Sequence, residues 1–149
     1  MGSVNWISSL FISTVPLRSL GSVVWFDAFW VPDKPEGSED WFVVELLEKG
    51  DVAGFGKLWF DSHESSRVNF ENSAPELDYL IELAKSVPGA LGARLSGGGF
   101  GGITIHLVKK DEADQYAQKV CAAYKLRTGI NAEYYICELG DGACSEKIN

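Results

Sequence analysis

The residues best suited to carry chemistry lie in one glycine-rich stretch, GARLSGGGFGG, at positions 92–102. Clustered backbone N–H groups can hold a phosphate without a positively charged side chain, so this stretch is a candidate phosphate-binding loop. Gly97–Gly102 has the G-x-G-x-x-G spacing of dinucleotide sites, and Gly92–Gly97 has the G-x-x-x-x-G spacing of P-loops. The first motif must open a helix, and the second needs Lys and Ser or Thr where Gly98-Gly99 stand, so neither context is met.

The glycine run joins two stretches with strand patterns, which leaves two interpretations. A hairpin whose glycines supply positive φ needs one or two glycines, whereas this run has five in the six positions 97–102. Each extra glycine costs about 0.5–1 kcal/mol relative to alanine in regular structure. We therefore favour a loop whose backbone closely approaches a ligand or another loop, and the plain hairpin is the alternative.

Three basic side chains are further candidates, and each has an ordinary structural alternative. His63 falls on a predicted helix face, where a histidine is more often simply packed or solvated, and the family resemblance given below makes a position at an interdomain cleft equally favoured. Arg67 is able to steer a phosphate, but a pair with a nearby carboxylate is the more common role. Arg94 either supports the glycine loop or forms a surface ion pair, of which the ion pair is slightly favoured.

Two carboxylates, Glu76 and Asp78, stand close together in the sequence, as a general acid and a general base would. Residues two apart do not share a helix face, and helix capping explains Glu76, so we reject this pair. His106 lies in the middle of a predicted strand, opposite the face formed by its apolar neighbours, and is predicted to be structural.

The composition limits the classes of partner. The 149 residues suggest one domain that is large enough to bury a core. The net charge of −8 argues against nucleic acid and against an anionic membrane surface. The three cysteines, Cys121, Cys137 and Cys144, form no C-x-x-C pair, so we predict free thiols in a reducing cytoplasm and no metal site.

Residues 1–38 form an apolar segment and the start of a linker, to which the sequence assigns no role. A proline and two charged residues interrupt the apolar part, which is too short for a membrane helix, and no basic region precedes it as in a signal peptide. Residues 31–40, VPDKPEGSED, have the composition of a linker. We expect an aromatic cluster in this segment to cover an exposed apolar face. Its members are Trp25, Phe26, Phe29 and Trp30.

Three helices are predicted after the linker. The first is capped by Ser38 and ends at Gly50, and the second is capped by Asp51. Gly54 and Gly56 weaken the second prediction, because glycine is a poor helix former.

The third helix has the clearest signals. Ser73 and Glu76 match the S-x-x-E capping box, and Pro75 suits the first turn. Apolar residues recur at i, i+3, i+4 and i+7 and predict a buried stripe. They are Leu77, Leu80, Ile81 and Ala84.

The remaining elements alternate between strand and helix. Strands are predicted over Ala90–Ser96, 103–108 and 133–139, and Asp111 caps a helix that Gly129 ends. The inner stripe of that helix is Ala113, Tyr116, Ala117, Val120 and Tyr124. Helices first and then β-β-α-β predict an α+β fold, with helices on one face of a mainly antiparallel sheet.

Three segments together carry a family resemblance. GALGARLSGGGFGG, with SHESSRVNFENSAPELDYL upstream and ICELGDGA near the end, resembles the C-terminal part of the galactokinases, which belong to the GHMP family of small-molecule kinases. The likeness covers residues 41–143 and implies that residues 39–149 form a GHMP kinase C-terminal domain with a ferredoxin-like fold. It also implies ATP-dependent phosphorylation of a sugar with magnesium, for galactokinases at the anomeric hydroxyl of galactose.

The glycine run is similar to the third motif of that family. By this resemblance the nucleotide-binding residues lie at the cleft between two domains, where their amides border the phosphates. They are Ser96, Gly97, Gly98, Gly99, Phe100, Gly101 and Gly102.

The sequence also departs from the family. The motifs P-x-G-x-G-L-S-S-S-A and G-R-x-N-L-I-G-E-H are absent, so no catalytic residue is assigned in this chain, and we expect it to be inactive alone. The alternative is a non-catalytic module, a sensor or regulator that binds a nucleotide or a protein. A homo-oligomer through the exposed interdomain face is a further expectation.

Overall fold

The computed structural model of the chain describes residues 8–14 and 45–138. Its strands are β1 (Ser8–Thr14), β2 (Ala90–Ser96), β3 (Ile103–Lys109) and β4 (Glu133–Glu138). Its helices are α1 (Val52–Val68), α2 (Pro75–Ser86) and α3 (Ala113–Thr128), with a 3₁₀ turn at Lys110–Glu112 before α3. Within the described part of the chain, no helix has the length and apolar character needed to cross a membrane.

The four strands form one antiparallel sheet in the order β2-β3-β1-β4. The chain therefore follows a β-α-β-β-α-β path, with two helices in the first crossover, which is the ferredoxin-like arrangement. This confirms the predicted α+β class and the mainly antiparallel sheet.

Strand β1 was not predicted from the sequence. It lies in the middle of the sheet, where Leu10 is paired with Leu107 of β3 and with Cys137 of β4. This stretch was predicted to belong to an N-terminal segment without an assigned role. Its partner strands, β3 and β4, are distant from it in the sequence, so no local pattern indicates the pairing. The aromatic cluster at 25–30 and Ser38 lie outside the described residues.

Helices α2 and α3 pack on one face of the sheet and enclose the core. Both predicted apolar stripes, of four residues in α2 and five in α3, are buried. Except for Leu77, these residues meet Ala93 of β2 and Val108 of β3 in one continuous cluster. The periodicity of the two helices thus identified their inner faces correctly.

Local end signals were right at some helix boundaries. The Asp51 side chain accepts a hydrogen bond of 2.8 Å from Gly54 N–H, as expected for the cap of α1. Gly50 has φ +70° after a helical turn at residues 45–48, and Gly129 ends α3 with φ +74°. In these conformations glycine is favoured over other residues.

Two predicted caps were wrong. Helix α2 begins after Ala74 rather than Ser73, and no side chain caps it. The Ser73 hydroxyl instead donates to Asp78. Asp111 falls inside the 3₁₀ turn, which leaves Glu112 at the N-cap of α3 without a capping bond.

Helix α1 crosses β2 at very short range, and glycine makes this possible. A β-carbon on Gly56 would lie 2.3 Å from the carbonyl oxygen of Leu91, and one on Gly92 would lie 2.1 Å from the carbonyl oxygen of Gly56. The glycines that weakened the prediction of α1 therefore include one that the packing of this helix requires. The crossing brings His63, about two helical turns further along α1, against the end of β2.

Candidate phosphate-binding loop

The glycine loop, residues 97–102, connects β2 to β3 directly after the last strand pair, Ser96 with Ile103. Five of its six residues have positive φ. These are Gly97 (+79°), Gly99 (+82°), Phe100 (+58°), Gly101 (+121°) and Gly102 (+102°). Residues with side chains rarely adopt this conformation, which explains why glycine fills nearly all of the loop.

One glycine is also required by a close contact with another loop. A β-carbon on Gly99 would lie 1.9 Å from the carbonyl oxygen of Asn72. That same oxygen accepts a 2.6 Å hydrogen bond from Phe100 N–H, and Asn72 Nδ2 donates to the carbonyl oxygen of Gly98 at 3.4 Å. Asn72 belongs to the connector between α1 and α2, so this connector holds the tip of the glycine loop.

The outer side of the loop is open. A β-carbon on Gly97 or Gly98 would meet no atom within 4 Å, and Phe100 is 72% exposed. The loop is thus held by Asn72 at its tip, whereas at Gly97 and Gly98 the described part of the chain leaves space in which a ligand can reach the backbone.

His63 lies beneath Leu95, where β2 leads into the glycine loop, and we call this end the root of the loop. The His63 side chain is 3% exposed. Its Nδ1 accepts a 3.3 Å hydrogen bond from Leu95 N–H. Because a backbone N–H can only donate, the neutral imidazole carries its proton on Nε2. Nε2 lies 3.2 Å from Asp78 Oδ1 and donates to it, and the Ser73 hydroxyl donates to the same oxygen at 2.6 Å.

The electrostatics favour a neutral His63. Burial lowers the pKa of His63 below its ordinary value, although the Asp78 carboxylate opposes this effect. The neutral form is the one that the bond from Leu95 requires. The three side chains do not form a nucleophilic triad, because the Ser73 hydroxyl bonds to the carboxylate and not to the imidazole that would have to take its proton.

A polar cavity of about 280 Å³ opens beside His63, between α1 and α2. Arg67 borders it, with its guanidinium bonded to the Glu64 carboxylate at 2.5 and 3.1 Å. This confirms the ordinary interpretation of Arg67 as the partner of a nearby carboxylate. The pair is exposed, so it adds little stability.

The other sequence candidates have hydrogen-bond partners of their own. His106 is fully buried, with Nδ1 2.6 Å from Tyr116 Oη and Nε2 3.0 Å from Thr104 Oγ1, which confirms its structural role. Burial lowers the pKa of His106 to about 3. Arg94 is half-buried and its Nε donates to the carbonyl oxygen of Leu95, at the root of the loop.

The carboxylates of α2 do not act as a pair either. Glu76 is exposed, whereas Asp78 belongs to the network of His63. Across residues 45–138, no three His, Cys, Asp or Glu side chains come together in a group that could hold a metal ion. Cys121 and Cys137 are free thiols.

The fold and the loop define an α+β domain with a glycine-rich hairpin, and comparisons with known proteins identify its family. The family described as "GHMP kinases C terminal" matches residues 43–126, more than half of the chain. The chain therefore belongs to the GHMP kinase family and carries its C-terminal domain.

Within this family the chain is similar to galactokinases. It is 45% identical to the galactokinase of Fusobacterium nucleatum over 100 residues, which are 67% of this chain and 26% of that protein. It is 42% identical to the galactokinase of Clostridium beijerinckii over 99 residues, 66% of this chain and 25% of that protein. The chain thus spans about a quarter of the length of these relatives.

Solved structures show the same fold. The crystal structure of Lactococcus lactis galactokinase complexed with galactose matches with a TM-score of 0.73 at 22% identity, over 94% of this chain and 47% of that one. The mevalonate kinase of L. major in complex with R-mevalonate matches with a TM-score of 0.60 at 20% identity, over 87% and 42% of the two chains.

The residues that hold the loop were not predicted from the sequence. Asn72 acts mainly through its backbone carbonyl, so its residue type gave no signal. Asp78 was considered only as a partner of Glu76, because its real partners come from α1 and from the connector. The S-x-x-E spacing at Ser73 predicted a capping box, whereas the Ser73 hydroxyl donates to Asp78 in α2.

Proposed function

We propose that this chain is the C-terminal part of a galactokinase-like enzyme that phosphorylates galactose at its anomeric hydroxyl with ATP and magnesium. In this proposal, Ser96 and the glycine loop border the nucleotide phosphates from one side of a cleft. The observation that carries it is the hairpin loop with five positive φ angles and an open outer side, in a chain that is similar to galactokinases.

The phosphate groups of a nucleotide fit this loop. Phosphoryl transfer depends mainly on positioning and on charge stabilisation, and backbone N–H groups supply both. At Gly97 and Gly98 a side chain would occupy the space that a phosphate needs. ATP would supply the phosphoryl group, and the loop amides and the Ser96 hydroxyl would help to orient it.

Magnesium does not fit the described residues in the same way. They contain no group of carboxylates that could hold the ion, so we assign it no ligand in this chain. No described residue is assigned to the sugar or to proton transfer. We propose that these functions belong to parts of the relatives that the similarity does not cover, and that the chain alone is inactive.

A galactose-dependent ADP-release assay on the purified chain tests the inactivity. We expect no release above that of a sample without galactose. Robust turnover would contradict the proposal that the sugar and the catalytic groups come from elsewhere. Measured binding of Mg-ATP without turnover would instead favour the alternative of a nucleotide-binding module.

A chimera tests the kinase function directly. Residues 41–143 of this chain would replace the matching C-terminal segment of the Fusobacterium nucleatum galactokinase, with the unchanged enzyme as the control. We expect galactose-dependent ADP release because the loop should complete the nucleotide site. A folded chimera without this activity, judged by circular dichroism and by a cooperative thermal transition, would contradict the proposed function.

The remaining expectations concern location and assembly. The free thiols Cys121 and Cys137 are compatible with a reducing compartment, so we propose that the protein is cytoplasmic. The acidic composition supports a small-molecule partner over nucleic acid or an anionic membrane. Association through an exposed interdomain face remains a prediction, which sedimentation of the purified chain would test.

A further inference from the structure

Two neighbouring residues, Asn72 and Ser73, support the glycine loop, one at its tip and the other at its root. The backbone carbonyl oxygen of Asn72 accepts a hydrogen bond from Phe100 N–H at the tip of the loop. The Ser73 hydroxyl donates to the Asp78 carboxylate, which also accepts a hydrogen bond from His63. His63 in turn accepts a hydrogen bond from Leu95 N–H at the root of the loop. One short connector is therefore linked to both the tip and the root of the loop.

The bond at the root occupies a backbone group that the sheet does not use. Strand β2 is at the edge of the sheet, with β3 as its neighbour. Leu95 is paired with Thr104 of β3, yet its N–H points to His63 on α1. Leu95 is the second-last residue of β2, so the imidazole fixes the backbone just before the chain leaves the sheet for the loop.

The imidazole itself is held on both sides. The crossing at Gly56 and Gly92 sets the distance between α1 and β2, and Asp78 bonds the second ring nitrogen. Because Ser73 also donates to that carboxylate oxygen, the carboxylate is oriented as well. A ring bonded at both nitrogens and almost fully buried has little freedom to turn.

We propose that His63, oriented by Asp78 and Ser73, is a positioning residue that fixes the root of the glycine loop and thereby the direction of its amides toward the nucleotide phosphates. The part that concerns phosphates rests on the proposed function, whereas the part that concerns the loop does not. The competing explanation is that His63 only stabilises the fold by covering an edge strand.

Two substitutions separate these explanations, because each keeps one of the two hydrogen bonds. In His63→Asn the side-chain oxygen can take the position of Nδ1 and accept from Leu95, while the bond to Asp78 is lost. In His63→Gln the amide nitrogen can take the position of Nε2 and donate to Asp78, while the acceptor for Leu95 is lost. Asparagine is one methylene shorter than glutamine, so a loss of packing alone would make His63→Asn the more damaging variant, the opposite of the order that the hydrogen bonds predict.

The measurement is amide hydrogen exchange by NMR on the full 149-residue chain, with Val120 in the core as the reference for global opening. We expect His63→Gln to raise the exchange rates at 95–102 at least tenfold relative to Val120, and His63→Asn to raise them less than threefold. Equal effects of the two variants, or exchange that rises only together with that of Val120, would show a purely stabilising role and overturn the proposal.

Ser73→Ala provides a milder variant in case His63→Gln does not fold. It leaves both bonds of His63 in place and removes one support of the carboxylate, so we expect a rise of about threefold at the same amides. No change at the loop amides in this variant would contradict the proposed network.

The link to phosphates is tested separately in the active chimera. There, His63→Gln should raise the KM for ATP several-fold with a smaller change in kcat, and His63→Asn should restore most of the affinity. An unchanged KM would refute the functional part even if the exchange data support the positioning of the loop. An inactive parent chimera would refute the proposed function, and the exchange experiment would still decide whether His63 positions the loop.

Discussion

Two glycine-rich regions of this chain use the same residue for different physical reasons. At the crossing of α1 and β2, Gly56 and Gly92 have no positive φ and are required because backbone atoms occupy the space of a β-carbon. In the loop at 97–102, positive φ angles favour glycine at four positions, and Gly99 also has a close contact with Asn72. The crossing should therefore determine the stability of the whole fold, whereas the loop should affect only its own shape.

The largest effect is expected from Gly92→Ala at the crossing. The new methyl group would meet the backbone of Gly56, which cannot move without separating α1 from the sheet. Overpacking of this kind should lower the free energy of unfolding by about 3 kcal/mol. Urea unfolding followed by circular dichroism measures this. A loss of less than about 1 kcal/mol would contradict the role assigned to the crossing.

The next largest effect is expected from acid, which should lower the free energy of unfolding through the protonation of His106. Its pKa is about 3 in the folded chain and 6.5 when exposed, so between these values the unfolded state binds one more proton. The free energy of unfolding is therefore at its full value above about pH 6.5 and falls by about 1.4 kcal/mol for each pH unit below it. The lowered pKa of His63 acts in the same direction.

Urea unfolding at pH 6.5 and pH 5 checks this prediction, with an expected loss of about 2 kcal/mol from His106. His106→Gln is the matched control, since it removes the titration but can still bond to Thr104 or Tyr116. Its pH dependence should be smaller by that amount. Parallel curves for the two proteins would show that His106 is not the group responsible.

A smaller effect is expected from Gly99→Ala in the loop. The substitution places a methyl group against Asn72 and forces a residue with a side chain to adopt φ +82°. The left-handed conformation costs such a residue about 1–2 kcal/mol. Because the strain is local, we expect the tip to leave Asn72 rather than the fold to open. Faster amide exchange at Phe100 with unchanged exchange in α3 would be the sign of this, and uniform acceleration would contradict it.

The smallest effect is expected from Gly98→Ala, which serves as the matched control inside the same loop. Its β-carbon would enter open space, and its φ is not positive, so the free energy of unfolding should change by less than about 0.5 kcal/mol. In the active chimera, however, the methyl group would stand where we place the phosphates. A lowered affinity for ATP with unchanged stability would separate the two roles of the loop, and unchanged affinity would place the phosphates elsewhere.

Some elements were predictable from the sequence and others were not, for a physical reason. Strand β2 was predicted with its observed bounds, and β3 to within one residue, because the glycine run marks their ends. The inner faces of α2 and α3 followed from helical periodicity. The cap at Ser73 was wrong because a spacing rule does not show which nearby acceptor a hydroxyl will bond, and the cap at Asp111 was wrong because a 3₁₀ turn precedes α3.

For the candidate site, the sequence located the loop but not what holds it. Gly97 to Gly102 stand out by composition, and their order between two strands excluded the dinucleotide and P-loop contexts. Asn72 and the partners of His63 come from other elements, and no pattern in the chain connects them.

The sequence by itself thus determined the helix stripes, the position of the glycine loop between β2 and β3, and the likeness to galactokinases. These depend on residues that are near one another in the chain or on motifs in a fixed order. Only the tertiary structure decided that β1 lies in the middle of the sheet, that Gly56 and Gly92 let α1 cross β2, and that His63 bonds Leu95. Each of these is a contact between distant segments, which exists only after folding has brought them together.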